Sequence, residues 1–127
     1  MQNFVKSRLR SFQYAISGWW FVIRTQRNAW LHALASISVL LVAAWLNLEG
    51  RDWAVLILTI GTVWTAEFIN TAIEAVVDLA APGHHPLAKI GKDVGAAAVL
   101  IAAISSIMIG CLVLGPPLWA RITALFP

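Results

Sequence analysis

The stretch from Ala66 to Asp78 carries four polar side chains on one face of a predicted apolar helix. These four residues are Glu67, Asn70, Glu74 and Asp78, at positions i, i+3, i+7 and i+11. At about 100° per residue, such positions fall within an arc of roughly 80° on a helix. Facing lipid, each ionised acid would cost at least about 2.5–3.5 kcal/mol. We therefore expect the acids to face other helices, water or a cation.

This polar stripe has the composition of a site for phosphoryl transfer. Two oxygen-bearing ligands near a lysine suit Mg²⁺ and phosphates, and Lys92 and Asp93 follow a short loop later. A glutamate deeper in the bilayer suits a general base for the hydroxyl of a lipid. The chain contains no Walker A sequence and no protein-kinase glycine loop, so a nucleotide site of another kind is expected.

The elements that position these residues follow from a composition unsuited to a water-soluble domain. The chain has 127 residues, of which 60% are hydrophobic and 12% charged, against about 45–50% and about 25% in typical soluble domains. So short a chain has too much surface to hide this apolar material in water, and its hydrophobicity excludes intrinsic disorder. The composition predicts a single membrane domain over residues 1–127.

Three apolar stretches are long enough to cross a membrane, which takes about 20 residues. They cover about 29–48, 53–81 and 90–118. Pro82, Gly83 and Pro86 predict that the second helix ends near Ala81. The pair of prolines at 116 and 117 is expected to end or kink the third helix. The predicted fold class is all-α integral membrane, with three transmembrane helices.

The segment of about residues 4–24 predicts an amphipathic helix lying in the membrane interface. Its apolar residues recur at spacings of three and four beside a basic and polar stripe. An amphipathic helix on a soluble core is the weaker alternative. The basic residues near the N-terminus are Lys6, Arg8, Arg10, Arg24 and Arg27. With Lys89 and Lys92 in the second connection, the positive-inside rule makes both regions cytoplasmic, so Gln26, Lys92 and Asp93 share a membrane face with Glu74.

Two blocks of the chain resemble the prokaryotic diacylglycerol kinases. They are the stripe Ala66–Asp78 and the following block His85–Val99. Ser11–Ala15 with Gly18, and Arg27-Asn28 with His32, are most similar to the undecaprenol kinase branch of that family. The resemblance extends from about residue 8 to residue 115.

The resemblance implies a homotrimer in the bacterial inner membrane, with active sites shared between subunits. Such a kinase uses ATP and Mg²⁺ to phosphorylate a membrane lipid alcohol. By position, Glu67 would be the general base, Asn70 would help to place the reacting groups, and Glu74 would bind the metal. The implied nucleotide-binding residues are Tyr14, Gln26, Glu74, His85, Lys92 and Asp93. Asp78 and Gly91 match sensitive positions, and either Arg8 or Arg10 could supply a nucleotide-contact arginine.

One departure from the family pattern concerns the metal. The family usually has a second metal-binding glutamate where this chain has Gln26. An amide oxygen can coordinate but carries no charge, so Mg²⁺ binding is expected to be weaker unless Asp78 or Asp93 compensates. We therefore expect Gln26→Glu to keep or raise activity at limiting Mg²⁺.

Several interpretations stay open at this point. Undecaprenol is the preferred acceptor and diacylglycerol the alternative, because hydrophobic grooves recognise prenyl and acyl chains in similar ways. Stacked acids could instead relay ions in a small cation- or proton-conducting oligomer, or the chain could be a structural partner subunit. Nucleic acid is not an expected partner, because aromatic residues are interleaved with the basic ones near the N-terminus.

For several single residues, a purely structural interpretation also stays open. An interhelical hydrogen bond would explain Asn70, and simple exposure at the water interface would explain Asp78. His32 is expected to make a buried polar contact, and Lys89 is expected to anchor the interface. Gly95, in a G-x-x-x-G with Gly91, is expected to allow close helix packing.

Overall fold

The computed structural model describes residues 2–125, with side chains from residue 6 onward, and in these residues every regular element is an α-helix. In chain order, the helices are α1 (Gln2–Thr25), α2 (Arg27–Trp45), α3 (Gly50–Ala80) and α4 (Pro86–Thr123). The last three are long and apolar enough to cross a membrane. The all-α fold class with three candidate spans is thereby confirmed.

Gln26 separates α1 from α2 and is the N-cap of α2. Its backbone is extended, with φ −98° and ψ 116°, and its side chain makes no capping hydrogen bond. A capping side chain usually accepts a hydrogen bond from the first turn of the helix. Because the Gln26 side chain is not used in this way, it can reach another helix.

The turn between α2 and α3 is tight and takes only residues 46–49. Asn47 adopts a left-handed backbone conformation with φ 53°, which asparagine tolerates better than most residues. The Asn47 and Leu48 amides donate to the carbonyls of Ala44 and Ala43, at 3.1 Å and 3.2 Å. These bonds satisfy carbonyl groups at the end of α2.

The connection between α3 and α4 ends one helix and begins the next. Helix α3 ends at Ala80, which confirms the predicted stop before Pro82. His85 is the N-cap of α4, where its Nδ1 accepts from the Leu87 amide at 3.2 Å. Pro86 then occupies the first helical position, where its missing N–H costs nothing.

Helix α4 extends past the point where the sequence predicts its end or a kink. It continues through the prolines at 116 and 117 to Thr123. Each proline removes one N–H donor from the helix. Membrane helices tolerate this loss, because side chains and neighbouring backbone satisfy the freed carbonyls again.

Helix α3 is the central helix of the chain, and its most extensive contact is with α4. Its buried residues are Leu56, Thr59, Val63, Glu67, Asn70 and Thr71. They recur every three or four positions and therefore form one face. On α4 the buried residues are Gly95 and Val99, and a Cβ at Gly95 would overlap Oδ1 of Asn70. The predicted close packing at Gly95 is confirmed.

Helix α1 contacts the other helices through its C-terminal half. Trp19 stacks on Trp64 of α3, with ring centroids 5.2 Å apart, and lies 6.0 Å from the ring of Phe68. Val22 is buried. The apolar side chains of Phe12 and Ile16 stay about two-thirds exposed, at 69% and 68%, as suits a helix whose apolar face meets lipid.

The Gly95 contact predicts a position-specific loss of stability. Adding a methyl group in Gly95→Ala must displace the Asn70 amide, so we expect the free energy of unfolding to fall by about 1–3 kcal/mol. The matched control is Gly110→Ala on the same helix, where an added Cβ meets no atom within 4 Å. Unfolding in detergent micelles checks the pair. Equal stability of the two variants would contradict the packing described.

Candidate functional site

Glu67 is the most deeply buried acid among the described side chains. It is 1% exposed and, with Leu56, one of the largest fully buried side chains. Its Oε2 lies 3.6 Å from Nε2 of His32 on α2 and has no hydrogen-bond partner. The expectation that this acid faces another helix instead of lipid is confirmed.

Glu74 lies two turns further along α3 and is held by two amides. Asn70 Nδ2 donates to Glu74 Oε1 at 2.9 Å. Gln26 Nε2 donates to Glu74 Oε2 at 3.2 Å. Each carboxylate oxygen therefore accepts one hydrogen bond, one from within α3 and one from Gln26 at the start of α2.

Asn70 lies between the two glutamates along the helix. Its side chain is buried, and its hydrogen bond to Glu74 stays within α3. Its Oδ1 has no hydrogen-bond partner and lies against Gly95 of α4. The described contacts therefore include no side-chain hydrogen bond from Asn70 to another helix, unlike the interhelical interpretation.

Four charged side chains pair at the water-exposed ends of α3 and α4. Lys92 Nζ lies 2.5 Å from Asp78 Oδ1, which links the two helices. Lys89 Nζ lies 2.6 Å from Asp93 Oδ2 within α4. Exposed pairs of this kind contribute about 0–1 kcal/mol. Asp78 is thus exposed to solvent, as expected, and is also paired with Lys92. Lys89 forms an ion pair with Asp93.

These pairs line a shallow cavity of about 220 Å³ next to the α3–α4 connection. His84 and His85 lie on its wall. His85 also has the structural task of capping α4, which the sequence analysis missed. The signal was present, because a proline marks the first position of a helix and makes the preceding residue its N-cap. Gly91 lies nearby, where an added Cβ would make an ordinary 3.7 Å contact with Val77.

Tyr14 belongs to a different surface. It is 74% exposed and lines a cavity of about 440 Å³ on α1 together with Lys6, Ser7, Arg10 and Ser11. Basic and hydroxyl side chains of this kind suit phosphate oxygens. No described contact joins Tyr14 to Glu74, so these two predicted nucleotide contacts are not brought together within one chain.

The residues around Glu74 fit a magnesium ion that is bound together with phosphates. Among the described residues, no cluster of three or more His, Cys, Asp or Glu side chains could hold a metal alone. Mg²⁺ is commonly held by one or two carboxylates plus substrate phosphates and waters. Glu74 would supply the carboxylate. The Gln26 amide, whose oxygen and nitrogen exchange places on a 180° turn, would supply a neutral oxygen.

Comparison with known proteins identifies one family, and the similar proteins include an undecaprenol kinase and diacylglycerol kinases. Residues 13–114 match the family model for prokaryotic diacylglycerol kinase. The undecaprenol kinase of Bacillus subtilis is 40% identical over 117 residues, which cover 92% of this chain and 95% of the relative.

Two further relatives are named diacylglycerol kinases. That of Synechocystis is 45% identical over 111 residues, covering 87% of this chain but only 63% of its own length. That of Escherichia coli K12 is 38% identical over 95 residues, covering 69% of this chain and 78% of its own.

Proposed function

This chain belongs to the prokaryotic diacylglycerol kinase family, and we propose that within it the chain transfers the γ-phosphate of ATP to undecaprenol. Membership makes it a membrane lipid kinase, a phosphotransferase with a lipid alcohol as acceptor. This activity replaces the two alternative interpretations, a cation- or proton-conducting oligomer and a structural partner subunit. Diacylglycerol, the substrate in the names of the other relatives, is the competing acceptor.

Undecaprenol is favoured by where the similarity lies. The undecaprenol kinase of Bacillus subtilis is matched along 95% of its length, including the N-terminal region. That region of this chain contains the Ser11–Ala15 and Arg27-Asn28 motifs with His32, which resemble the same branch.

The observation that carries the proposal is the contrast between two acids on one helix. Glu67 is fully buried with a carboxylate oxygen that has no partner. Glu74, seven residues on, is half-buried and held by two amides. A rise of about 1.5 Å per residue puts the two acids about 10 Å apart along the axis. One end suits a lipid hydroxyl and the other suits the phosphates of a nucleotide.

In this proposal Glu67 is the general base. It accepts the hydroxyl proton of the lipid while the hydroxyl oxygen bonds to the γ-phosphorus and ADP leaves. A positioned base of this kind contributes about 10²–10⁴-fold to the rate. Asn70 helps to place the reacting groups, since it lies one turn along α3 from Glu67 and its buried Oδ1 has no hydrogen-bond partner.

Glu74 and Gln26 would hold Mg²⁺ with the phosphates of ATP, and the ion would neutralise charge that develops on the transferred group. Lys92 is proposed to exchange Asp78 for a phosphate, with Asp93 and His85 on the same cavity wall. Tyr14 and either Arg8 or Arg10 are proposed as further nucleotide contacts. Gly91 directly precedes Lys92 and is proposed to lie where a phosphate approaches.

The location that we propose is the bacterial inner membrane, with the N-terminus and the α3–α4 connection in the cytoplasm. The basic residues near the N-terminus, together with Lys89 and Lys92 in the first turns of α4, support this orientation through the positive-inside rule. Helix α1 would then lie in the interface on the cytoplasmic side. ATP would reach Glu74 from water, and the lipid would reach Glu67 from the bilayer.

We also propose a homotrimer with active sites shared between subunits, as the family resemblance implies. An apolar groove of about 660 Å³ between α3 and α4 supports it. Small residues, including Gly61, Thr62 and Ala66, line this groove. Such residues let neighbouring membrane helices approach closely. A shared site would also explain why one chain leaves Tyr14 apart from Glu74.

The acceptor assay tests the proposed function directly. Purified full-length protein receives labelled ATP, Mg²⁺ and either undecaprenol or diacylglycerol at equal mole fractions in separate micelles. We expect kcat/KM to favour undecaprenol by about 10-fold or more, within the range that apolar pockets achieve. A preference for diacylglycerol would overturn the acceptor. Labelling of neither lipid would overturn the proposed function.

The variant Gln26→Glu tests the metal site. An added ligand charge should lower the half-saturating Mg²⁺ concentration by about 10-fold, because ligand charge tunes the affinity of such sites. In EDTA the new carboxylate should repel Glu74 and lower the unfolding temperature, and Mg²⁺ should restore it.

The matched control for this variant is Gln26→Leu, which has a similar size but no oxygen. It should raise the half-saturating Mg²⁺ concentration. A clear loss of activity in Gln26→Glu at saturating Mg²⁺ would show that residue 26 does not face the metal.

A further inference from the structure

His32 and Glu67 face each other between α2 and α3 without completing a hydrogen bond. Nε2 of His32 lies 3.6 Å from Oε2 of Glu67, and neither atom has a hydrogen-bond partner. The exposed fractions of the two side chains are 16% and 1%. Buried polar atoms are rarely left unpaired in folded proteins, and those that are call for an explanation.

The imidazole is held in place by a short chain of contacts. Its ring packs edge-on against Trp64 of α3, with centroids 6.3 Å apart and planes at 68°. Trp64 Nε1 donates to Ser36 Oγ at 3.2 Å. Ser36 Oγ in turn donates to the His32 carbonyl at 2.7 Å. A ring confined in this way keeps its edge directed at the carboxylate of Glu67.

We propose that His32 is a positioning residue for Glu67. Its Nε2–H donates to Glu67 Oε2 when the acceptor lipid is bound, which leaves Oε1 to receive the hydroxyl proton. The inference rests on the proposed role of Glu67 as general base. A neutral imidazole with its proton on Nε2 is the neutral form that presents a donor to the carboxylate.

The observed distance fits this role. The gap must shorten by about 0.5 Å to enter the N–H···O range of about 2.7–3.2 Å. Catalytic hydrogen bonds are often long in the absence of substrate and tighten only in the reacting complex. A lipid hydroxyl that approaches Oε1 of Glu67 and excludes water would favour that closure.

The proton balance of the step leaves the imidazole unchanged. The lipid O–H bond breaks, the Oε1–H bond of Glu67 forms, and the lipid oxygen bonds to the γ-phosphorus as ADP leaves. Between turnovers the carboxylic acid returns its proton to water. His32 keeps its own proton throughout, so its contribution is to fix the carboxylate and not to transfer the proton.

Three variants of the full-length protein test the inference, with kcat and both KM values measured in lipid micelles. His32→Leu removes the donor at similar size, and we expect kcat to fall about 100-fold, the loss that follows from misplacing a reacting group by about 1 Å. Both KM values should stay near those of the wild type. His32→Gln keeps an N–H donor and should regain most of the lost kcat.

The control is Ser106→Ala. Ser106 lines the same cavity of about 200 Å³ as His32, but from α4. This variant should turn over like the wild type. A loss in Ser106→Ala equal to that in His32→Leu would mean that the cavity lining matters only through packing, and it would overturn the proposal.

A double-mutant cycle separates action through Glu67 from an independent role. In a Glu67→Gln background, His32→Leu should cause no further loss, because residues that act as a unit are non-additive. A full additional loss would overturn the proposal. So would wild-type kcat in His32→Leu, or a folded His32→Gln with no more turnover than Glu67→Gln.

The inference and the proposed function fail in different ways. A wild-type protein that phosphorylates neither lipid overturns the proposed function, and the role of His32 falls with it. A wild-type protein that is active while His32→Leu retains full kcat overturns only the positioning role. If His32→Leu does not fold, the same comparison is made with His32→Phe, which also lacks an N–H donor: full kcat in that variant overturns the positioning role, and a loss that His32→Gln restores supports it.

Discussion

Burying the carboxylate of Glu67 between α2 and α3 withdraws it from water, and an ionised acid at the centre of a bilayer costs at least about 2.5–3.5 kcal/mol. The surrounding helices must therefore provide the polar contacts that water would otherwise make with the carboxylate. His32 brings a polar edge from α2 to within 3.6 Å. The close approach at Gly95 brings α4 against Asn70 one turn further along α3. Both contacts form on the face of α3 that carries this acid.

The same helix passes from a closed environment to an open one along its polar stripe. Glu67 is 1% exposed, Glu74 is half-buried and held by two amides, and the Asp78 side chain is 65% exposed in an ion pair. In the proposed mechanism a lipid hydroxyl and the phosphates of ATP use these opposite environments, because one substrate would come from the bilayer and the other from water. Placing both on α3 fixes their separation by the helical rise alone.

The periodicity of the sequence predicted the features that depend on one helix alone. The spacing of the acids in Ala66–Asp78 predicted their common face, and Pro82 predicted the end of α3. The ion pair between Lys89 and Asp93 also follows from an i, i+4 spacing. That signal was present, although the sequence interpretation assigned Lys89 to the interface.

Contacts that depend on how two helices cross could not be predicted from the sequence. The contact of His32 with Glu67 and the stacking of Trp19 on Trp64 depend on the rotation of α1 and α2 about their own axes. The local sequence does not determine that rotation. Nor did it reveal that the Gln26 side chain, left out of the capping of α2, reaches Glu74 with its nitrogen.

The central claim is that Glu67 performs chemistry while Glu74 binds the nucleotide. It is tested most directly by measuring ATP affinity and single-turnover phosphoryl transfer in Glu67→Gln beside Glu74→Gln. The account predicts that Glu67→Gln binds ATP and Mg²⁺ as the wild type does but transfers phosphate about 10²–10⁴-fold more slowly, whereas Glu74→Gln binds ATP weakly. Wild-type transfer by Glu67→Gln, or a loss of ATP binding in that variant, would contradict it.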